Sequence, residues 1–276
     1  MQRNSFTELA RNLTSLIGDD EQRPSGENWA PSGFTGVEEE LFEFLGVKHV
    51  SWILDTYQVN CVLDVGANCG QYAMSLREAG YSGHIASFEP MPQAAAELSK
   101  AAEEDPCWSV YPVALGAVSA TLPFNASPGT GSSLLPPNDF GRRRFRDLGQ
   151  PEVIEVPVRR LDEVLDEVFA EVRDPRPYLK MDTQGYDVEV FSGAGKLTKD
   201  FVAMQSEVSV MQIYDGMPRM RAALDTYQQD GFEITGMFPV SREVRTGRVI
   251  EFDCVLARSS EARCAADSPS LPWTDA

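Results

Sequence analysis

Apolar and polar positions alternate along the 276-residue chain in a way that predicts strands separated by helices. Short apolar runs bounded by turn residues predict buried strands, and apolar positions that repeat every three or four residues predict the helices between them. The predicted strands are CVLDV (61–65), HIASFEP (84–90), WSVYPVAL (108–115), PYLKMD (177–182), FVAMQSEVSV (201–210), FEITGMFPV (232–240) and VIEFDCVLAR (249–258). The segment between the last two is too short for a crossover helix, which predicts that they form an antiparallel pair.

This order of elements predicts an α/β fold. Strands that alternate with helices favour a doubly wound, mostly parallel, seven-stranded sheet of the Rossmann-like type, here with its last strand antiparallel. We expect residues 1–55 to form an N-terminal arm with one or two helices over 38–54, serving as a lid or in dimerisation. Residues 56–258 are expected to form the main domain, with a long loop or hairpin at 116–150, and 259–276 a loose tail.

Charge and composition narrow the function. The chain has 24 lysines and arginines against 42 aspartates and glutamates, a net charge of −18, which disfavours a broad nucleic-acid surface. No apolar run approaches the length of about 18 residues that spans a bilayer, and the N-terminus lacks a secretory pattern, so we expect a soluble, cytoplasmic protein. Five cysteines without CxxC spacing and two histidines argue against a zinc finger, a disulfide framework and histidine-dependent nucleophilic catalysis.

The residues that follow the first two predicted strands indicate an adenosine ligand. Ligands of open parallel sheets bind at the carboxyl ends of the strands. Gly66 and Gly70 allow a sharp turn after the first strand, but Asn68 stands where a dinucleotide fingerprint has glycine, which disfavours NAD. Glu89 ends the second strand, where a carboxylate can accept hydrogen bonds from both hydroxyls of a ribose. Asp64 suits a positively charged ligand group better than a phosphate.

An ordered set of motifs resembles the FkbM family of S-adenosylmethionine-dependent methyltransferases. The motifs are VLDVGANCGQY, SFEP, VALG, GSS, RRLDEVL, LKMDTQGYDVEVFSGA and QSEVS, and they cover residues 60–257. The resemblance implies a seven-stranded class I methyltransferase fold and methyl transfer, usually to a hydroxyl oxygen. The departures are Asp187, where the family more often has glutamate, and Cys69, where an aliphatic residue is common.

The resemblance also assigns cofactor-binding residues and the product S-adenosylhomocysteine. It implies that Glu89 holds the ribose of S-adenosylmethionine and that Ala114 and Leu115 flank the adenine. The paired serines of the long loop, Ser132 and Ser133, would close over the cofactor. The residues implied to line the methionine moiety are Asp64, Gly66, Asn68 and Gly70. Asp182 is also predicted to contact the cofactor.

Catalysis on an alcohol requires that a proton be removed as the new bond forms. The candidates for the base are Asp182, Lys180, Asp187 and Glu207. Asp182 leads, because it ends the fourth predicted strand beside the expected methyl position. Glu207 could orient the acceptor or share the proton, and Lys180 could pair with Asp182 or form an ordinary ion pair. Asp182, Asp187 and Glu207 could alternatively hold Mg²⁺, which prefers oxygen ligands.

The identity of the acceptor stays open at this stage. Family analogy suggests a sugar hydroxyl of a glycoside or glycolipid, or a hydroxyl of a polyketide-type natural product. The basic cluster Arg142, Arg143, Arg144 and Arg146 is read as a solvated loop, with a gate for an anionic acceptor as the alternative. A nucleotide-dependent oxidoreductase, a non-catalytic binding protein on the same fold, and a homodimer are left open.

Overall fold

The computed structural model describes residues 32–170 and 172–263. The strands are β1 (Cys61–Val65), β2 (His84–Phe88), β3 (Trp108–Tyr111), β4 (Ala114–Gly116), β5 (Ala120–Ala126), β6 (Glu152–Arg160), β7 (Pro177–Met181), β8 (Ala203–Ser209), β9 (Glu233–Arg242) and β10 (Val249–Ala257). The helices are α1 (Gly36–Thr56), α2 (Gln71–Glu78), α3 (Pro92–Ala102), α4 (Asp139–Arg144), α5 (Leu161–Phe169), α6 (Asp187–Gly193) and α7 (Met220–Gln229). None of the helices in these ranges is long and apolar enough to cross a membrane.

Seven strands form the main sheet in the order β3-β2-β1-β7-β8-β10-β9. Strand β1 pairs in parallel with both β2 and β7, and β7 pairs in parallel with β8. The last strand, β10, runs antiparallel to both of its neighbours, β8 and β9. The predicted doubly wound sheet with a reversed last strand is therefore confirmed.

The central strands are buried throughout because helices cover both faces of the sheet, and apart from the Asp64–Lys180 pair they are largely apolar. All five residues of β1 and all five of β7 are buried. Alternate side chains of β1 enter two separate apolar clusters. Leu63 packs in a cluster with Leu161 and Phe191, whereas Val62 packs in another with Ile53.

A second, three-stranded sheet with the order β4-β6-β5 was not predicted. The predicted strand 108–115 is wrong in its second half, because the chain leaves the main sheet after Tyr111 and pairs β4 with β6. The predicted loop at 116–150 contains β5 and α4. Strand β5 lies at the edge of the small sheet, has one buried residue, Phe124, and contains Pro123, so it lacks the apolar run that marks a buried strand.

The segment predicted as one or two helices is the single 21-residue helix α1. Thr35 and Glu38 form a capping box at its start, with each side chain accepting a hydrogen bond from the other residue's backbone N–H. Near its end, Val50, Ile53 and Leu54 pack into the apolar cluster beneath the main sheet. Residues 1–31 of the predicted arm and residues 264–276 of the predicted tail lie outside the described residues.

The turn between β1 and α2 joins the ends of three strands. The Gly66 N–H donates to the Phe88 carbonyl at the end of β2 (3.0 Å), and the Asp182 N–H after β7 donates to the Val65 carbonyl (3.0 Å). Gly66 has φ +78°, and a Cβ there would lie 2.0 Å from the Asp182 carbonyl oxygen. Only glycine therefore allows the two loops to approach this closely.

We predict that Gly66→Ala destabilises the protein far more than Gly80→Ala. Gly80 also has a positive φ, +97°, but a Cβ there meets no atom within 4 Å. Gly80→Ala should cost about 1 kcal/mol for its left-handed backbone, and Gly66→Ala about 3 kcal/mol or more, because overlap with Asp182 adds to the strain. The measurement is denaturant unfolding of both variants. Equal losses would contradict the close approach of the two loops.

Candidate active site

A large cavity of about 1170 Å³ opens at the carboxyl ends of β1, β2 and β7. Its wall includes the residues directly after these strands, Gly66, Glu89 and Asp182. Helix α1, strands β9 and β10, and the loop after β5 complete the wall. The volume exceeds the range of about 300–1,000 Å³ that is usual for one small ligand, so the cavity has room for two molecules side by side.

Glu89 presents a buried carboxylate at one end of the cavity. It is 7% exposed, and its two oxygens accept hydrogen bonds from the backbone N–H groups of Asn68 (2.9 Å) and Met91 (2.8 Å). Burial raises the pKa of Glu89, although these two donors offset part of the rise. The carboxylate is therefore fixed in one orientation, as a site for vicinal hydroxyls requires.

The structure divides the predicted cofactor residues into two sets. Gly66, Asn68, Glu89, Ala114, Leu115, Ser132 and Asp182 line the cavity. Asp64, Gly70 and Ser133 do not, so they hold supporting positions rather than the lining positions that the resemblance implied.

Each of the three supporting residues has a physical reason to lie behind the wall. Asp64 is fully buried and paired with Lys180. Gly70, at φ +93°, lies so close to the Trp108 ring that a Cβ would be 3.0 Å from it. The Ser133 hydroxyl donates to the Gln184 carbonyl (2.9 Å), which ties the long loop to the segment after β7.

Lys180 is the polar centre of the cavity. Its ammonium lies 3.0 Å from Asp64 Oδ1, 3.7 Å from Asp182 Oδ2 and 3.2 Å from the Gly66 carbonyl oxygen. Burial alone would lower the pKa of Lys180, but the carboxylates of Asp64 and Asp182 outweigh burial and raise it above its ordinary value. Lys180 is therefore a fixed cation, and the predicted pairing with Asp182 is present.

Asp182 and Glu207 are connected through an amide rather than directly. Gln184 Nε2 donates to Asp182 Oδ1 (3.1 Å) and to Glu207 Oε2 (3.0 Å), and Gln184 Oε1 accepts from the Tyr214 hydroxyl (3.0 Å). Gln184 adopts φ +55°, a conformation rare for a residue with a side chain. Glu207 does not line the cavity, so its position is that of a support for Asp182.

Asp187 is a structural link between two loops. Its carboxylate accepts from the Thr183 N–H (2.9 Å), the Ser206 hydroxyl (2.7 Å) and the Glu207 N–H (3.1 Å). Asp187 is only 3% exposed and lies outside the cavity wall, which places it away from the position expected for a base.

The three carboxylates that could have held magnesium do not form a metal site. Within residues 32–170 and 172–263, no group of three or more His, Cys, Asp or Glu side chains is arranged to hold a metal ion. The Gln184 amide lies between Asp182 and Glu207, and Asp187 is occupied by hydrogen bonds from the protein. The alternative grouping of Asp182, Asp187 and Glu207 around one ion is therefore not found among the described residues.

Sequence reasoning missed Asp253, which faces the same cavity from β10. Burial, followed by the nearby Asp182, raises the pKa of Asp253 to about 7. Burial likewise raises the pKa of Glu251 to about 7, and that of Glu207 well above its ordinary range, with neighbouring carboxylates adding to both. The signal was present in VIEFDCVLA, where acidic residues alternate within an otherwise apolar strand.

The side chains of the basic cluster do not line the cavity. The Arg144 guanidinium donates to the Arg242 carbonyl (2.9 Å), and Arg142 lies 3.8 Å from Asp139. None of Arg142, Arg143, Arg144 and Arg146 lines the wall. The reading as a surface segment is therefore favoured over a gate.

We predict that Asp253→Asn makes the unliganded protein less sensitive to rising pH. A carboxyl whose pKa rises from 3.8 to about 7 on folding keeps a proton that the unfolded chain has lost, so it lowers stability as pH rises between those values. The free energy of unfolding of the variant, relative to that of the parent, should rise by on the order of 2 kcal/mol from pH 5 to pH 8. The rise is smaller than for an isolated carboxyl because neighbouring carboxyls share the titration.

The measurement is denaturant unfolding at a series of pH values. Asp166 is an exposed carboxylate on α5, and Asp166→Asn serves as the control. It should leave the dependence of the unfolding free energy on pH unchanged. Parallel curves for Asp253→Asn and the parent would contradict the assignment.

Comparisons with known proteins agree with this site. Residues 64–234 match the family described as Methyltransferase FkbM domain. The 2-O-methyltransferase NoeI of Sinorhizobium fredii (strain NBRC 101917 / NGR234) is 27% identical over 187 residues, which cover 64% of this chain and 74% of NoeI.

Solved methyltransferase structures are also similar to this chain. Magnesium protoporphyrin IX methyltransferase (ChlM) from Synechocystis PCC 6803, with bound S-adenosylmethionine, has 12% identity and a TM-score of 0.43, covering 92% of this chain and 96% of its own. Aeropyrum pernix fibrillarin with S-adenosyl-L-methionine has 11% identity and a TM-score of 0.41, covering 72% and 66%. Since the family match spans more than half of the chain and includes Gly66, Glu89 and Asp182, this protein belongs to the FkbM methyltransferase family.

Proposed function

We propose that this protein transfers a methyl group from S-adenosylmethionine to a hydroxyl oxygen of a small molecule. The observation that carries the proposal is that one cavity contains both the fixed carboxylate of Glu89 and the polar centre formed by Lys180 and Asp182. The first suits a ribose and the second suits a reacting hydroxyl. The similarity to a 2-O-methyltransferase supports oxygen as the methyl acceptor.

The residues of the cavity wall fit the cofactor. Glu89 would hold the ribose hydroxyls, Ala114 and Leu115 would flank the adenine, and Gly66, Asn68 and Ser132 would surround the amino-acid end. Asn68 is fixed for this role because its N–H already donates to Glu89 and its side-chain amide reaches the Gly129 carbonyl (3.4 Å). When bound, S-adenosylmethionine supplies a methyl group already activated by its sulfonium.

The chain's own residues must then place the acceptor and receive its proton. Asp182 is the candidate base, because its side chain is 39% exposed towards the cavity while Lys180 and Gln184 hold one oxygen each. Lys180 lies beside the carboxylate and orients it, and Glu207 supports it through Gln184. Asp253 offers a second carboxyl in the same wall that can exchange a proton near neutral pH.

Several finer expectations remain part of this proposal. The acceptor is a sugar hydroxyl or a hydroxyl of a polyketide-type natural product, and the enzyme acts in the cytoplasm. Residues 56–258 form the methyltransferase domain, with α1 as an additional wall of its site. Of the alternatives, an oxidoreductase is disfavoured by the family match and by Asn68 in the turn.

The proposal predicts micromolar binding of S-adenosylmethionine and no binding of NADH in calorimetric titrations. Glu89→Gln should weaken binding at least tenfold, since a charged acceptor of hydrogen bonds is lost from the ribose position. Glu78→Gln, an exposed glutamate on α2, is the matched control and should bind like the parent.

Transfer is then measured with a labelled methyl group on a panel of glycosides and polyketide alcohols. The product should be an ether, which survives alkali, whereas a methyl ester would be hydrolysed. Binding of NADH, failure to bind S-adenosylmethionine, or an alkali-labile product would contradict the proposed reaction.

A further inference from the structure

The cavity has two ends that the sheet order keeps apart. Glu89 and Leu115 lie at the end formed by β2 and β4, where the cofactor fits. On the other side of β7, the wall is formed by α1, β9 and β10. Lys180 and Asp182, at β7, lie between the two ends. The end formed by α1, β9 and β10, here called the distal end, is therefore the place for the methyl acceptor.

The distal end has an apolar wall built from two elements. Phe34 and Phe42 meet edge to face with ring centroids 5.1 Å apart, and Val47 follows on the same helix. Phe238 and Val240 face the cavity from β9. Because α1 is anchored in the core through Ile53, this wall is part of the folded domain. It suits a ligand with an apolar body.

The charge of the distal end has one sign. Glu39 and Glu43 of α1 line it, and Asp253 and Asp182 lie at its base. Among the residues that the structure describes, Lys180 is the one lysine, arginine or histidine that lines the cavity, and it is already engaged by Asp64 and Asp182. Arg242 lies behind the wall, 4.6 Å from the centroid of the Phe34 ring, and is paired with Glu38 (2.8 Å). An anion bound here would lose water and face carboxylates, while both of these cations already have carboxylate partners in the protein.

We propose that the distal end selects an acceptor that has an apolar body and carries no negative charge, either a neutral alcohol or an alcohol that also bears an ammonium group. This inference rests on the proposed methyl transfer and narrows its substrate class. It excludes acceptors that present a phosphate, sulfate or carboxylate to the site. The basic cluster is consistent with this selection, because none of Arg142, Arg143, Arg144 and Arg146 lines the cavity.

Three probes with the same apolar body distinguish the effect of charge on binding from the effect of size. They are 4-phenylbutan-1-ol, 4-phenylbutylamine and 4-phenylbutyrate, titrated into the full chain saturated with S-adenosylhomocysteine so that the cofactor end is filled. We expect the alcohol and the amine to bind and the carboxylate to bind at least tenfold more weakly. At pH 8, Asp253→Asn should reduce the ratio of the dissociation constants of the carboxylate and the amine at least threefold, because it removes one negative charge from the base of the distal end.

The apolar wall is tested with a pair of variants on α1. Phe42→Ala should weaken binding of the alcohol and the amine at least fivefold, because it removes apolar surface from the wall. Leu45→Ala is the matched control, since Leu45 is 44% exposed on the same helix and does not line the cavity. It should leave all the affinities unchanged.

The outcomes separate this inference from the proposed function. Failure of S-adenosylhomocysteine itself to bind would overturn the methyl transfer on which the inference rests. If that ligand binds, equal affinity for the carboxylate and the alcohol would overturn the charge selection. Failure of all three probes, or equal effects of Phe42→Ala and Leu45→Ala, would overturn the apolar acceptor site.

Discussion

A buried cation at the centre of the sheet is the constraint on which the site depends. Lys180 is 6% exposed at its side chain and lies against a fully buried Asp64, with Asp182 on its open side. Two adjacent parallel strands carry the pair, since Asp64 and Lys180 are register partners of β1 and β7. Removing either charge would leave the other buried without its partner, so the pair favours the register in which Asp64 and Lys180 lie side by side. Among the described residues that line the cavity, Lys180 is the cation that offsets the carboxylates.

The loops after these strands take their shape from the same close packing. Gly66 touches the backbone after β7, and Asn68 and Gln184 both adopt left-handed backbone conformations beside it. Strained residues of this kind are held only where the surroundings fix them, here by Glu89 on one side and by Tyr214 and Glu207 on the other. The result is a cavity in which a carboxylate for the ribose, a candidate base and an apolar wall have fixed separations.

The main sheet could be predicted from the sequence because its central strands are covered on both faces and are mostly apolar, with Asp64 and Lys180 as the exceptions in β1 and β7. The glycine turn, Glu89 and Asp182 follow directly from where those runs end. The small sheet was missed because β5 is only partly buried and contains proline, so no periodic pattern marks it. The supporting positions of Asp64, Asp187 and Glu207 could not be predicted. A carboxylate near a strand end gives the same sequence pattern whether its side chain faces the cavity or forms hydrogen bonds and ion pairs behind the wall. The role of α1 in the wall depends on tertiary packing with β9, which a single sequence does not reveal.

The most direct test of this account is a double-mutant cycle between Lys180 and Asp64, measured by denaturant unfolding of the unliganded protein. Lys180→Met and Asp64→Asn should each cost about 3 kcal/mol, because each leaves a buried group without its partner, and the double variant should lose much less than their sum. Lys199→Met, an exposed lysine, is the control for the methionine substitution. Additive losses, or single variants as stable as the parent, would contradict the claim that this ion pair organises the site.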